Sequence, residues 1–285
     1  MKKIYLLALL CLPFALKAQD GVVFKIKYQP NHTYNMNMGL GMNMNVTVTG
    51  DPAILQKLKD EGINQPVMAL LGLGVNGTMK TGTPGADNMM PITMDFKIDS
   101  LNVSANGKQA PIPPSATDKA IHINGHANAD NISMFVIDSV NGKKAGDSSQ
   151  NSMKQMMSMV QRQVQFPATA MKPGDTFTQN MPINVPMKGS KSNIKVDASI
   201  TYKLNNIADG KAYFDVMPKF SMNMDIMKIA VNISGNGTGK MVYSIKDNFP
   251  LSRSGTFNAT IKVTSAKLNV DGTAVITSST MTVIN

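Results

Sequence analysis

The sequence predicts a mainly β protein, with long antiparallel strands in a curved sheet or half-barrel and with one short and one longer helix. Three observations carry this. Apolar and polar residues alternate with a period of two through most of the chain, the pattern of strands that bury one face. Several of these runs reach 10 to 16 residues, where an ordinary strand has about 5–6. The alternation also slips phase inside runs, at Asp99-Ser100 and again near Ser265, as an inserted bulge residue would make it do. At about 3.3 Å per residue the longest runs would extend about 50 Å. An immunoglobulin-like sandwich has no use for that length. Long, bulged strands with one apolar face suit a strongly curved sheet around an apolar interior.

The first element is not part of that sheet. Met1-Lys2-Lys3 is basic, Ile4–Leu16 is an apolar run of 13 residues, and Ala18 is small. This is the layout of a secretory signal peptide, and the run is shorter than the about 20 residues of a membrane span. Leu10 precedes Cys11, where a lipoprotein signal would place a small residue. The expected organisation is a signal peptide over 1–18 and one β-rich domain over 19–285, with 148–166 as its internal seam. Cleavage there leaves a chain without cysteine. An exported protein without disulfides must draw its stability from a packed core. The expected location is periplasmic, outer-membrane-associated or extracellular, in a Gram-negative-type envelope.

Val22–Tyr28 alternates with Phe24, Ile26 and Tyr28 on one side. Tyr34–Val48 follows, with Tyr34, Met36, Met38, Leu40, Met42, Met44, Val46 and Val48 all at even positions, hence on one strand face. Asp51-Pro52 opens a short helix, Asp as N-cap and Pro in the first turn, and Gly62 stops it. Val67–Thr81 is apolar and glycine-rich and is expected as strand. Met90–Ile98 alternates, then flips so that Leu101, Val103 and Ala105 continue. "FKIDSL" at 96–101 is echoed by "FVIDSV" at 135–140, each followed by Asn-Gly-Lys, which suggests two similar hairpins. Ser148–Phe166 is the longer helix, with Met153, Met156, Met157, Val160 and Val164 at helical spacing and Pro167 ending it. Antiparallel strands occupy the remainder: 194–204, 214–224, 227–233, 241–245, 257–263 and a final strand over about 273–284.

In this second half "FPATAMKPGDTFT" (166–178) and "GNGTGKMVYSIKDNFPLSRSGTFNATIKV" (235–263) resemble a group of secreted β-rich domains of unknown function. In that group a Pro-Gly-Asp turn precedes an aromatic residue, and a glycine-rich strand precedes a Phe-Pro turn. Such domains are similar to the half-barrels of periplasmic lipoprotein and lipid carriers. The resemblance spans about residues 160 to 284 and implies a fold; it brings no catalytic residues.

Composition and motifs narrow the chemistry. Loss of Lys2, Lys3 and Lys17 with the signal takes the formal charge from +10 to +7. The lysines fall singly on polar strand positions, a solvated face that guards sheet edges, and no basic stripe with interleaved aromatics points to nucleic acid. The net charge allows peripheral attraction to anionic membrane surfaces. There are three histidines, His32, His122 and His126, no Gly-x-Ser-x-Gly, and Glu61 is the sole glutamate. Neither a triad nor a carboxylate pair is indicated, and the expectation is a non-enzyme with no cofactor. "HINGH" at 122–126 would bring its histidines together only if Asn124-Gly125 made a hairpin turn; on a straight strand they lie about 13 Å apart. "GNGTG" at 235–239 lacks the helix that a phosphate loop requires, so a close strand approach is expected there.

The methionines are the remaining signal, 24 in the chain. Met36, Met38, Met42 and Met44, with Met222 and Met224, form three M-x-M pairs. Three roles stand open: core filler in place of leucine, the wall of an adaptable apolar site, or a soft grip on Cu(I). The expected site is an apolar one lined by these six and by Met153, Met156, Met157 and Val160. It would hold a lipid or lipidated peptide. The alternatives are copper binding through the M-x-M pairs and a structural module with a dry core that meets an envelope protein. A transmembrane barrel fits the alternation but has few aromatics for its girdles, 10 Phe and 6 Tyr.

Overall fold

The computed structural model describes residues 21–113, 117, 119–129, 135–144, 164–181, 183–186, 193–226 and 229–285. The expected signal peptide and the helix over 148–163 lie outside them. Along the chain come β1 (Thr33–Gly50), α1 (Pro52–Asp60), β2 (Val67–Thr81), β3 (Met89–Ala105), β4 (Lys108–Gln109), β5 (Ile121–Asn128), β6 (Val136–Val140) and β7 (Lys143–Lys144). Then follow β8 (Thr176–Asn180), β9 (Ile183–Pro186), β10 (Asn193–Ala208), β11 (Lys211–Ile226), β12 (Ile229–Ser244), β13 (Phe249–Thr264) and β14 (Leu268–Ile284). All join one antiparallel sheet of 14 strands in the order β7-β6-β5-β3-β2-β1-β14-β13-β12-β11-β10-β8, with β4 on β3 and β9 on β10. The sheet is open, with β7 and β8 at its ends, and the last strand pairs with the first.

Turn chemistry sets the hairpins. Asn106-Gly107, Asn141-Gly142 and Asp209-Gly210 each place two successive residues at positive φ, between 48° and 77°, the geometry a two-residue hairpin turn needs. The two Asn-Gly-Lys echoes are thus equivalent turns. Each Asn clamps the neighbouring strand twice: the Asn106 side chain accepts from Met68 N and its own N–H donates to Met68 O. Asn141 does the same to His122. The phase flip in β3 is a bulge, since Gly74 faces Ser100 while Val75 faces Ile98, leaving Asp99 unmatched. The slip near Ser265 is instead a hairpin connection, because β14 already starts at Leu268; the Ser265 hydroxyl accepts from Leu268 N at 3.0 Å. Helix α1 begins where expected, the Asp51 carboxylate accepting from Ala53 N at 2.9 Å. It lies on the surface with no buried residue.

Val22–Tyr28 departs from its expectation as a strand. Its one ladder contact is a bridge from Val22 to Met171. It runs extended against the inner face of the sheet, and its alternation serves packing. Phe24 meets the rings of Phe166, Phe214 and Tyr243 at 5.2 to 5.3 Å. Tyr28 meets Tyr34 and Phe249 at 5.1 Å. Two buried clusters result. One gathers Tyr28 of this segment with Tyr34, Met79, Met90, Met94 and Ile123 from β1, β2, β3 and β5. The other gathers Phe24, Val164, Tyr202, Phe214, Met241 and Tyr243 around β10–β12. Ile26 packs against both, so the sheet curls around this segment and the core sits at one end of the long strands.

Candidate functional site

Eight strands, β1–β3 and β10–β14, run 15 to 18 residues, and the core occupies their lower portion. The register defines the levels above it on the inner face. One level reads Leu71, Met42, Ile276, Phe257 and Gly237 across β2, β1, β14, β13 and β12. The next is Ala69, Met44, Ala274, Ala259, Gly235 and Phe220. Above it lie Val67, Val46, Gly272, Ile261, Ile233 and Met222, and finally Val48, Val270, Val263, Val231 and Met224. At about 4.8 Å between strands and about 7 Å between levels, this field is roughly 24 Å wide and 20 Å long. Apart from buried Ala274 and Gly272, its side-chain positions are half-buried rather than closed. The substantial contacts between described elements join hydrogen-bonded neighbours, with α1 touching β1 as the addition.

The sequence-predicted methionines divide accordingly. Met36 is half-buried and packs against the closed cluster of β1–β3. Met38 is half-buried one level higher, and Met42 and Met44 lie in the open field. Met222 and Met224 share that inner face, but β12, β13 and β14 separate them from β1. The M-x-M pairs are therefore brought onto one surface and not into one cluster on the sheet. Met153, Met156, Met157 and Val160 lie outside the described residues. Val164 and Phe166, just beyond them, pack into the cluster around Phe24.

"GNGTG" is the centre of β12. A Cβ at Gly235, Gly237 or Gly239 would lie 2.5, 2.4 and 2.4 Å from the carbonyl oxygens of Asn258, Thr256 and Ser254 on β13. Only hydrogen fits, because β12 and β13 crease together at this place. Phe257 covers Gly235, its ring 2.6 Å from where that Cβ would be.

One inner-face residue was missed by sequence reasoning: Arg253. It shares parity with Gly255, Phe257, Ala259 and Ile261 on β13 and lies opposite Met241 and Thr280. That parity is legible in the sequence, but a lone arginine in a strand belongs to no motif and drew no notice there. Burial raises the Tyr202 pKa, and the Arg253 charge opposes the rise, although β11 and β12 lie between their strands. Tyr202 itself stacks on Phe177 at 4.8 Å, placed by the Pro173-Gly174-Asp175 turn, where Asp175 accepts from Lys172 N at 2.8 Å.

The outer face carries the charged and amide side chains together with exposed apolar ones, among them Met68, Leu70, Met217, Val275, Met281 and Val283. "HINGH" is straight strand, not a turn, and its two histidines point outward to separate partners: His122 Nδ1 to Asp95 at 2.7 Å and His126 Nδ1 to Asp138 at 3.0 Å. No group of three metal-ligating side chains occurs among the described residues. Lys240 pairs with Asp215, which with Asn205 holds the Asp215 carboxyl below its ordinary pKa. Two recesses of about 480 and 710 Å³ lie along this face. They are furrows between rows of side chains: Met281, Val283 and the Asn37–Asn76 and Asn35–Thr78 hydrogen bonds line the first, and Met217, Lys240 and Thr256 the second.

No protein-family model matches the chain, and no curated protein sequence does. Solved structures give loose superpositions. A protein described as exported, with a YmcC-like fold, from Bacteroides fragilis is 7% identical, with a TM-score of 0.13, over 90% of this chain and 98% of that one. LpxR from Salmonella typhimurium is 8% identical, TM-score 0.15, over 86% and 99%. OccK7 (OpdD) from Pseudomonas aeruginosa is 6% identical, TM-score 0.16, over 88% and 100%. Likeness at these scores carries no argument about fold or activity.

Proposed function

We propose that this is an exported, non-enzymatic binding protein of the cell envelope that holds an apolar ligand, a lipid or lipidated peptide, against the inner face of its sheet. The observation that carries the reading is the half-buried field above the core. It is built from Met, Val, Leu, Ile, Phe, Ala and Gly with no charged side chain among its levels, whereas the opposite face of the same strands mixes Asn, Thr, Lys and Asp with scattered exposed apolar residues. Apolar surface of several hundred square ångströms is kept open where a partner covers it. Methionine suits a ligand with variable chains, since its unbranched thioether adapts its rotamers to the occupant. The signal-like N-terminus supports export. Copper is a weaker reading, because the two sets of M-x-M pairs stand three strands apart.

Native mass spectrometry of protein recovered from its host without detergent tests this. The expected result is a lipid-sized adduct that the Met42→Asp/Met44→Asp variant loses while keeping its β-sheet circular dichroism. A bare wild-type chain, or an adduct retained by the folded double variant, overturns the reading.

A further inference from the structure

The eight long strands carry charges of both signs, and register turns nearly all of them outward: Asp95 and Lys97 on β3, Asp215 on β11, Lys240 on β12, Lys262 on β13 and Asp271 on β14. Arg253 is the exception among the described residues, a half-buried cation on the apolar face. No hydrogen bond or ion pair joins its guanidinium to a described residue. A guanidinium keeps its charge at every physiological pH, and a charge drawn partly out of water without a counter-charge is costly.

Its surroundings are those of a receptor for a small anion. Thr280 stands directly opposite on β14, and Ser278 is one level up. At that level β12 and β13 carry Gly239 and Gly255, so no side chain fills the space beside the guanidinium. A recess of about 70 Å³ lies there, lined by Arg253, Ser278, Val216, Phe257 and Ile276. It is room for roughly five waters. Phe257 and Ile276 also belong to the first level of the apolar field, so the recess leads directly onto the Met42 and Met44 surface.

We infer that Arg253 is the headgroup anchor of the inner face, and that the ligand held there is an amphiphile with an alkyl chain and an oxyanion headgroup, a carboxylate or a phosphate. This rests on the apolar-face reading above and names its ligand class. The guanidinium donates to two headgroup oxygens at once, the Thr280 and Ser278 hydroxyls donate to those that remain, and the alkyl chain lies along the field. The crease explains why glycine occupies three alternate positions of β12: it bends the sheet around the chain and clears the space beside the anchor.

Titration calorimetry of the full chain with laurate, dodecyl phosphate and dodecanol, each below its micelle concentration, tests this. The three probes share one tail. Wild type is expected to bind at least one anion about tenfold tighter than the alcohol, the margin of a charge-assisted pair, and the tighter anion identifies the headgroup. Arg253→Met keeps the apolar stem and should bind anion and alcohol alike, with alcohol affinity unchanged. Arg253→Lys should keep part of the preference, and unchanged thermal melts establish that both variants fold. Equal wild-type affinity for anion and alcohol, as a solvated, snorkelling arginine would give, overturns the anchor and leaves the apolar-face reading standing. So does an anion preference retained by Arg253→Met. Failure of all three probes to bind overturns both.

Discussion

Tyr243 ties the N-terminal segment to the sheet: its hydroxyl donates to the Lys25 carbonyl, and its ring meets Phe24 and Phe166 edge-on. Burial pushes its pKa up to about 12. The same cause raises Tyr34, whose oxygen accepts from Gln29 N at 2.7 Å, and Tyr202. The sign follows from linkage. A phenol with a folded pKa above its unfolded value of about 10 stabilises the fold fully below pH 10, and that share is lost as pH rises through about 12. Phenolate absorbance and circular dichroism followed together from pH 8 to 12.5 should therefore show late-ionising tyrosines whose titration coincides with loss of sheet. Tyr243→Phe should cost about 1 kcal/mol at neutral pH and shallow the alkaline fall. An equally steep fall in that variant would assign the alkaline loss elsewhere.

At the scale of elements, the crease in β12 and β13 gathers three positions where only glycine fits. Gly237→Ala would set a methyl 2.4 Å from the Thr256 carbonyl and 3.0 Å from Phe257 Cα, both backbone atoms. The strands must separate to admit it, at a cost of about 1–3 kcal/mol. Gly72 in β2 is the control. Its Cβ would meet Asn102 Cβ at 3.7 Å, an ordinary contact, and Ala there should change stability by about 0.5 kcal/mol or less, in the stabilising direction. Urea unfolding of the two variants decides, and equal effects would mean that the crease relaxes freely. Much of the element scale was legible in the chain beforehand. The Asp51 cap, the Asn-Gly turns and the Asp99 bulge are local signals with local outcomes. Val22–Tyr28 misled because alternation reports which side chains are buried, not whether the backbone finds a ladder partner.

The described residues form a single-layer sheet with the core at one end of its long strands. A transmembrane barrel shows a continuous apolar band outward; here Lys, Asp and Asn face out beside exposed Met68, Leu70, Val275, Met281 and Val283, and the inner face is mainly Met, Val, Leu and Ala. Stability should follow the same gradient, because amides over buried clusters open only with global unfolding and those over half-buried surface open locally. Hydrogen exchange should find the Tyr34 end of β1 and the Phe214 end of β11 slow, and the Val46 and Met222 levels faster. Uniform protection along the strands would mean that the field is covered in solution.

By itself the sequence determined the strands, their faces and their turns, since a period of two and a Gly at positive φ act within a few residues. It also determined that the methionines share faces with other apolar groups. Only the tertiary structure decided which portion of each face is core and which is open field, because that depends on where a separate segment, Val22–Tyr28, lies against the sheet. Pairing register likewise decided that half-buried Met36 packs on the closed cluster while Met42 lies in the open field, and that Arg253 stands beside Thr280 and a pair of glycines. Register links residues far apart in the chain, and alternation within one strand holds no information about its neighbours.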